Sequence, residues 1–417
     1  MSTKTIRNIL ASSLLLTVVG CGGNSQNNEI QLVNPFVGAD GENFQTMVDQ
    51  YNATNPEFTI RNVSMPGDAM YSQINSAYPT GQGIPELHAI HADFVQNYVS
   101  NDMLVAWNPI TGDFPEINAS NYLDAPWNIG SGSDGNQYAI PLDVHSWILY
   151  YNLDLIKEFG VEYILDDGII TYDEIREVAQ IVQDSGSNIA TYAITGSWLN
   201  YYSLYKQKGG LFTEDGINPT IHTPIGVDTF STFHNLYADG FTNENGEDSG
   251  ALFLTGQAIF FPEGIWWLNT ANSIEDFEWG LTHTPQDNTH NVLNFSGSHQ
   301  FVMFNSNERS PEKEQGVIAF VDWVRENSIE WARAGQNPAA LAILDSPEYQ
   351  AMPQSFLMKT EQGRNSISID EYYYGGFVSS EISRVFYDVV FGTISIDEGL
   401  SSVQRAVEDM IAQARTE

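Results

Sequence analysis

Cysteine is nearly absent from this chain: Cys21 is the only one in 417 residues. No intrachain disulfide can brace the fold, and the body of the protein holds no thiol nucleophile. Basic residues are almost as scarce. Sixteen Lys and Arg face 53 Asp and Glu, for a formal charge of -37. None lies between Asn62 and Ile156 or between Gly209 and Glu308. Most of the chain therefore has no cation to set against a phosphate or carboxylate, and the overall charge excludes nucleic acid as a partner. Helix N-termini remain the one way such stretches could hold an anion. Past the N-terminal end there is no apolar run long enough for a membrane helix, and neither a Gly-x-Ser-x-Gly elbow nor a P-loop is present.

The chain is rich in apolar and aromatic side chains: 42% is hydrophobic, with nine Trp, 20 Tyr and 22 Phe. A chain this long exceeds what one core usually supports, so two domains are expected. An acidic surface with so many rings also has the material to stack on a ligand.

In chain order, Lys4 and Arg7 precede an apolar stretch from Ile9 to Val19, the pattern of a secretory signal over residues 1–20. Cys21 follows directly after Gly20 and resembles a lipobox cysteine, lipidated once the signal is cut. Residues 21–29 then read as a flexible tether. The expectation is an exported protein, anchored by lipid on the extracytoplasmic side of a membrane.

From Ile30 strands and helices alternate. Ile30 to Val33 and Phe58 to Val63 read as strands. Phe44, Met47, Val48 and Tyr51 fall on one face of a helix that stops before Asn55-Pro56. The stretch Ile84 to Asp93 reads as a strand opening into another helix. Its His88 and His91 then face opposite sides, which disfavours a zinc site between them. Later helices carry clear punctuation: capping boxes at Thr171/Glu174 and Ser395/Glu398, and Thr223-Pro224 and Ser310-Pro311 at helix starts. The acidic loop Asn243–Gly250 does not follow the calcium-loop order and reads as solvated surface. The βαβ pattern predicts an α/β protein with ligands bound beyond the carboxyl ends of strands.

The stretch Ala139 to Asn152 stands out. Trp147 to Tyr151 is an apolar run suited to a strand buried on both faces, yet Asp143, His145 and Trp147 interrupt its entrance. A core strand with a polar edge and a segment entering through a ligand site both fit that pattern.

Several blocks together resemble an extracellular solute-binding protein of the maltose-binding-protein type, the receptor of carbohydrate ABC importers. They are the lipobox, Gly83-x-Pro85-Glu-Leu through Asp93, Tyr138-Ala-Ile-Pro-Leu-Asp through Asn152, Gly209-Gly-Leu-Phe212, Phe253-Leu-Thr-Gly-Gln-Ala through Trp266, and Trp331 through Pro338. The resemblance implies a two-lobed periplasmic-binding-protein fold of type II, each lobe a sheet flanked by helices, joined by a multi-strand hinge. It places residues 30–143 plus 297–328 in one lobe and 144–296 plus 329–417 in the other, with crossovers near Leu142–Ser146, Asn294–Gly297 and Ser328.

The same resemblance implies a neutral saccharide held between the lobes of a monomer, delivery to permease subunits, no cofactor, no resident metal and no catalysis. The implied ligand residues are Asp40 and Glu42 at the cleft mouth; Asp93 with His91; and Asp143, His145 and Trp147 at the hinge. The aromatic platforms are Trp198, Tyr201 and Trp266, with Trp267 and Glu263 beside them. Ser298 and His299 come from the second crossover, and Tyr374 and Phe377 from the C-terminal region. Two other readings stay open: a receptor for a polyamine or other cation, through cation-π contact and charge pairing, and a secreted glycan-degrading enzyme.

Overall fold

The computed structural model describes residues 28–415. The signal segment, Cys21 and most of the tether lie outside them. The tether ends earlier than expected, because Glu29 already pairs with Thr59 in the first strand pair.

Among the described residues twelve strands form two sheets. In chain order they are β1 (Glu29–Asn34), β2 (Thr59–Ser64), β3 (Leu87–His91), β4 (Ile140–Pro141), β5 (Asp143–Asn152), β6 (Ala190–Tyr192), β7 (Ala258–Gly264), β8 (Trp279–His283), β9 (Asn294–Gly297), β10 (His299–Val302), β11 (Asn337–Pro338) and β12 (Ile367–Ser368). The first sheet runs β2-β1-β3-β10-β4, and the second β12-β9-β5-β7-β6, with β8 and β11 also paired to β5. The βαβ units give parallel pairs at β1/β2, β1/β3 and β6/β7. β10, returning from the second sheet, runs antiparallel to β3 and β4, and four strands pair antiparallel with β5.

β5 explains its own sequence. Nine of its ten residues are buried, since it is covered on both faces and has neighbours on both edges. The chain reaches it from β4 through Leu142, whose N–H donates to the carbonyl of His299 while its own carbonyl accepts from Ala339. Ser298 makes the corresponding passage from β9 in the second sheet to β10 in the first. The two sheets are thus stitched where residues 142, 298 and 339 come together.

Helices cover the sheets as their sequences require. The box at Thr171 is closed, with Glu174 N–H donating to its hydroxyl at 3.2 Å and its own N–H donating to the Glu174 carboxylate at 2.8 Å. The Ser395/Glu398 box is closed the same way. Ile175, Val178, Ala179 and Val182 on one helix, and Leu400, Val403, Val407 and Ile411 on the other, lie in a single core under the second sheet. The first sheet has its own core around Ile30, Leu32, Phe44, Leu87 and Phe301. Trp331, Ala334, Ala339 and Ala340 belong to that first core, although they follow Ser328 in sequence. The expected strand at Ile84–Asp93 is shorter, because Ala92–Phe94 turns into a 3-10 helix and carries Asp93 off the sheet.

Candidate functional site

A cleft of about 550 Å3 opens between the two sheets. Its floor is the seam just described, with His145 from β5, Ser296 and Gly297 from β9, and Ser298. One wall carries His91, Asp93, Gln96, Asn128 and Ser131, and the other Trp198, Phe295, Asp370, Glu371, Tyr372 and Tyr373. No Lys or Arg lines it.

Under the floor lies a buried polar cluster. Asp143 is fully buried and accepts four hydrogen bonds: His299 N–H at 2.8 Å, His299 Nδ1 at 2.7 Å, Trp331 Nε1 at 2.7 Å and His145 Nδ1 at 3.3 Å. Burial opposes the charge, but His299 and His145 outweigh it and hold this carboxyl well below the usual range. His145 and His91 are pushed the other way. Burial and then the neighbouring His299 disfavour their protonated forms and lower both imidazoles, His91 the more strongly. His91 Nδ1 lies 2.6 Å from the Tyr71 hydroxyl, which also accepts the His91 backbone N–H at 2.9 Å.

The two carboxylates on the walls behave differently. Asp370 is half-buried, and desolvation raises its carboxyl to about 6 against the Tyr372 N–H that donates to it at 3.2 Å and the Lys206 charge; the Asp93 charge adds to the rise. Asp93 is exposed on the cleft wall, yet the protein packed around its carboxyl pushes it up to about 6 by desolvation.

Of the residues expected at the site, His91, Asp93, His145, Trp198 and Ser298 line the cleft. Asp143 and His299 sit one layer beneath, holding His145. Asp40 and Glu42 occupy the first turn of the helix Ala39–Ala53 and do not line the cleft, although the Asp40 charge reaches His145. Trp147 is buried, donates to Asn200 Oδ1 at 3.0 Å and presses on Gly196. Trp266 is half-buried with its ring 5.8 Å from His145, behind the floor. Trp267 packs among Tyr150, Phe253 and Phe261 in the core. Glu263 is half-buried at the end of β7, where desolvation raises its carboxyl to about 7. Tyr201 is fully buried, stacked on Tyr205 at 5.5 Å. Tyr374 stacks on Phe377 at 5.8 Å, leaving Tyr372 and Tyr373 of the same run to face the cleft.

Sequence reasoning missed Gln96, Asn128, Phe295, Ser296, Asp370 and Glu371. The only signal for the last two was the neighbouring tyrosine run before Gly375-Gly376. Gly130-Ser-Gly-Ser-Asp-Gly135, at the cleft rim, has the spacing of a dinucleotide-binding loop. It leaves a helix, Asp124–Ile129, and turns back through the Ser131/Gln137 bridge, so it lacks the strand-to-helix context that gives that spacing its meaning.

The family profile for bacterial extracellular solute-binding proteins matches residues 46–357. The chain belongs to this family. Among curated relatives of this solute-binding protein, the arabinooligosaccharide-binding protein of Halalkalibacterium halodurans is 22% identical over 405 residues, covering 91% of this chain and 88% of that protein. Among solved structures, the GacH receptor of Streptomyces glaucescens superposes with a TM-score of 0.77 at 14% identity, over 92% of this chain and 98% of the other. The sugar-binding protein MalE of Xanthomonas citri gives 0.76 at 16%, over 93% and 98%. These superpositions establish the two-lobed type II periplasmic-binding-protein fold. Among the described residues no helix is long and apolar enough to cross a membrane.

Proposed function

We propose that this solute-binding protein captures an uncharged saccharide in the cleft and hands it to an ABC importer. The observation that carries the reading is the lining itself. Trp198, Phe295, Tyr372 and Tyr373 offer ring faces for sugar C–H surfaces, Asp93 and Asp370 offer acceptors for hydroxyls from opposite walls, and no Lys or Arg lines the cleft to pair with an acidic group. The relatives named for arabinooligosaccharide and sugar binding support the same class.

On this reading His91, Asp93, His145, Trp198 and Ser298 contact the ligand, joined by Asp370 and Tyr373, while Asp143 and His299 position His145. The lobes are 30–143 plus a segment from 297 to the third crossover, and 144–296 plus the rest of the C-terminal part. A third crossover nearer Ala340 than Ser328 is supported by Trp331, Ala334, Ala339 and Ala340, which pack in the first core, while Ala332 packs with Val144 and Ile148. Cys21 carries a lipid that tethers a monomeric receptor outside the membrane. The chain binds rather than turns over its ligand.

Calorimetry with arabinose and maltose oligosaccharides, and with sn-glycerol 3-phosphate as an anionic control, tests this. Saturable binding of a neutral saccharide is expected, and binding of the phosphate alone would overturn it. The carboxylates Asp93, Asp370 and Glu371 favour one second reading, a cationic ligand such as a polyamine. Spermidine binding with no response to any saccharide would establish it. Hydrolysis of an oligosaccharide by the pure protein would instead reveal an enzyme.

A further inference from the structure

We propose that His91, His145 and His299, braced by Asp143 and Tyr71, form a site for a divalent transition metal of the zinc class at the floor of the cleft. The three imidazoles come from three strands: β3 and β10 are neighbours in the first sheet with His91 opposite His299, and β5 of the second sheet brings His145 to them at the seam. Their ring centres are 4.5 Å apart for His145 and His299, 4.8 Å for His91 and His299, and 6.3 Å for His91 and His145. Three imidazoles on one tetrahedral zinc, with Zn–N bonds of about 2.0 Å, put their ring centres about 5 Å apart. The two sides that meet at His299 fall close to that value, and the longer His91–His145 side requires His91 to swing toward His145 on metal binding.

The proton positions favour a metal. Asp143 accepts from Nδ1 of both His145 and His299, which fixes their protons there and leaves each Nε2 with a lone pair. This carboxylate behind imidazole arrangement is the usual outer shell of a zinc histidine. On His91 the partner is the Tyr71 hydroxyl, whose oxygen can accept an Nδ1 proton and so free that Nε2 as well. No hydrogen bond from a protein group reaches Nε2 of His91, His145 or His299 among the described residues. Ligand atoms of Asp143, His145 and His299 all lie within 4.8 Å of one another; His91 stands outside that group and must turn toward it to complete the set.

The setting narrows the metal. Nitrogen donors and a buried hydrophobic surround of Phe36 and Trp331 suit zinc, nickel or copper rather than calcium or magnesium, which prefer oxygen cages. His91 and His145 face the cleft, so the fourth position would open toward a bound ligand. Nothing in this inference depends on that ligand being a sugar.

The test uses the full-length protein, freed of metal by a chelator and titrated with zinc chloride alone. One zinc per chain is expected, with an X-ray absorption spectrum showing three imidazole nitrogens. His91→Gln and His299→Gln, checked for folding by circular dichroism, should each weaken binding at least about tenfold. No stoichiometric binding, a spectrum without histidine, or affinity unchanged in a folded His91→Gln protein would each overturn the proposal. The wild-type spectrum decides it even if a variant fails to fold.

Discussion

Asp143 and His299 are joined twice: the His299 backbone N–H donates to one carboxylate oxygen at 2.8 Å, and its Nδ1 to the other at 2.7 Å. The pair ties the first residue of β5 to the first residue of β10 across the seam between the sheets, and Trp331 seals it with a third bond. The cleft floor is therefore a fixed hydrogen-bonded unit and not a loose set of polar side chains.

That unit should be costly to break. Asp143→Asn replaces a four-fold acceptor by a group with one acceptor and a misplaced donor, leaving buried N–H groups unpaired. A loss of about 3 kcal/mol is expected in urea unfolding. The depressed carboxyl also sets a sign. Its contribution is present above the unfolded value near 4 and is lost as pH falls toward the folded value. The wild type should lose stability on acidification below about pH 4 more steeply than Asp143→Asn.

Asp370 works in the opposite sense. Its folded value, about 6, lies above the unfolded one, so its contribution is complete below the unfolded value and declines as pH rises through about 6. Asp370→Asn should flatten that part of the stability profile. It should also weaken saccharide binding about tenfold, because a hydroxyl loses its charged acceptor.

Tyr373 is 47% exposed at the cleft, so its removal tests stacking without disturbing the core. Tyr373→Ala should leave the melting temperature unchanged and lower saccharide affinity several-fold. Trp266→Ala, by contrast, should act through the neighbours its ring packs on, His145 and Trp147, and have the smaller effect on affinity, since Trp266 does not line the cleft. Calorimetry on both variants compares them directly.

Gly297 carries no side chain because His145 occupies the space: a Cβ there would lie 2.2 Å from His145 Nε2. Gly297→Ala should push the imidazole out of line, cutting ligand affinity at least tenfold while costing about 1 to 3 kcal/mol of stability. Retained affinity would show that His145 is not a contact.

Much of the architecture was legible in local pattern. The apolar run Trp147–Tyr151 announced a doubly covered strand, and the capping boxes at Thr171 and Ser395 fixed two helix starts. The polar entrance at Asp143 and His145 flagged the seam, because burial of such groups demands partners. The partners themselves were hidden. His299 is 156 residues from Asp143, and Trp331 is 188 away, so no local pattern joins them. Asp370 was invisible for another reason: one acid among 53 carries no signal until the fold sets it opposite Asp93. Aromatic runs told only that one ring faces inward. Which of Trp266 and Trp267, or of Tyr372 to Tyr374, does so depends on turns at the ends of β7 and before the helix Gly375–Val390.

The central claim, a receptor whose lobes hold a neutral saccharide, is tested most directly by titrating the pure protein with a panel of neutral oligosaccharides while small-angle scattering follows its size. The account predicts saturable binding of at least one saccharide with a contraction of the radius of gyration, both lost in the Asp93→Ala/Asp370→Ala double variant. Binding only of spermidine or only of an anion, or release of shorter sugars during the titration, would contradict it.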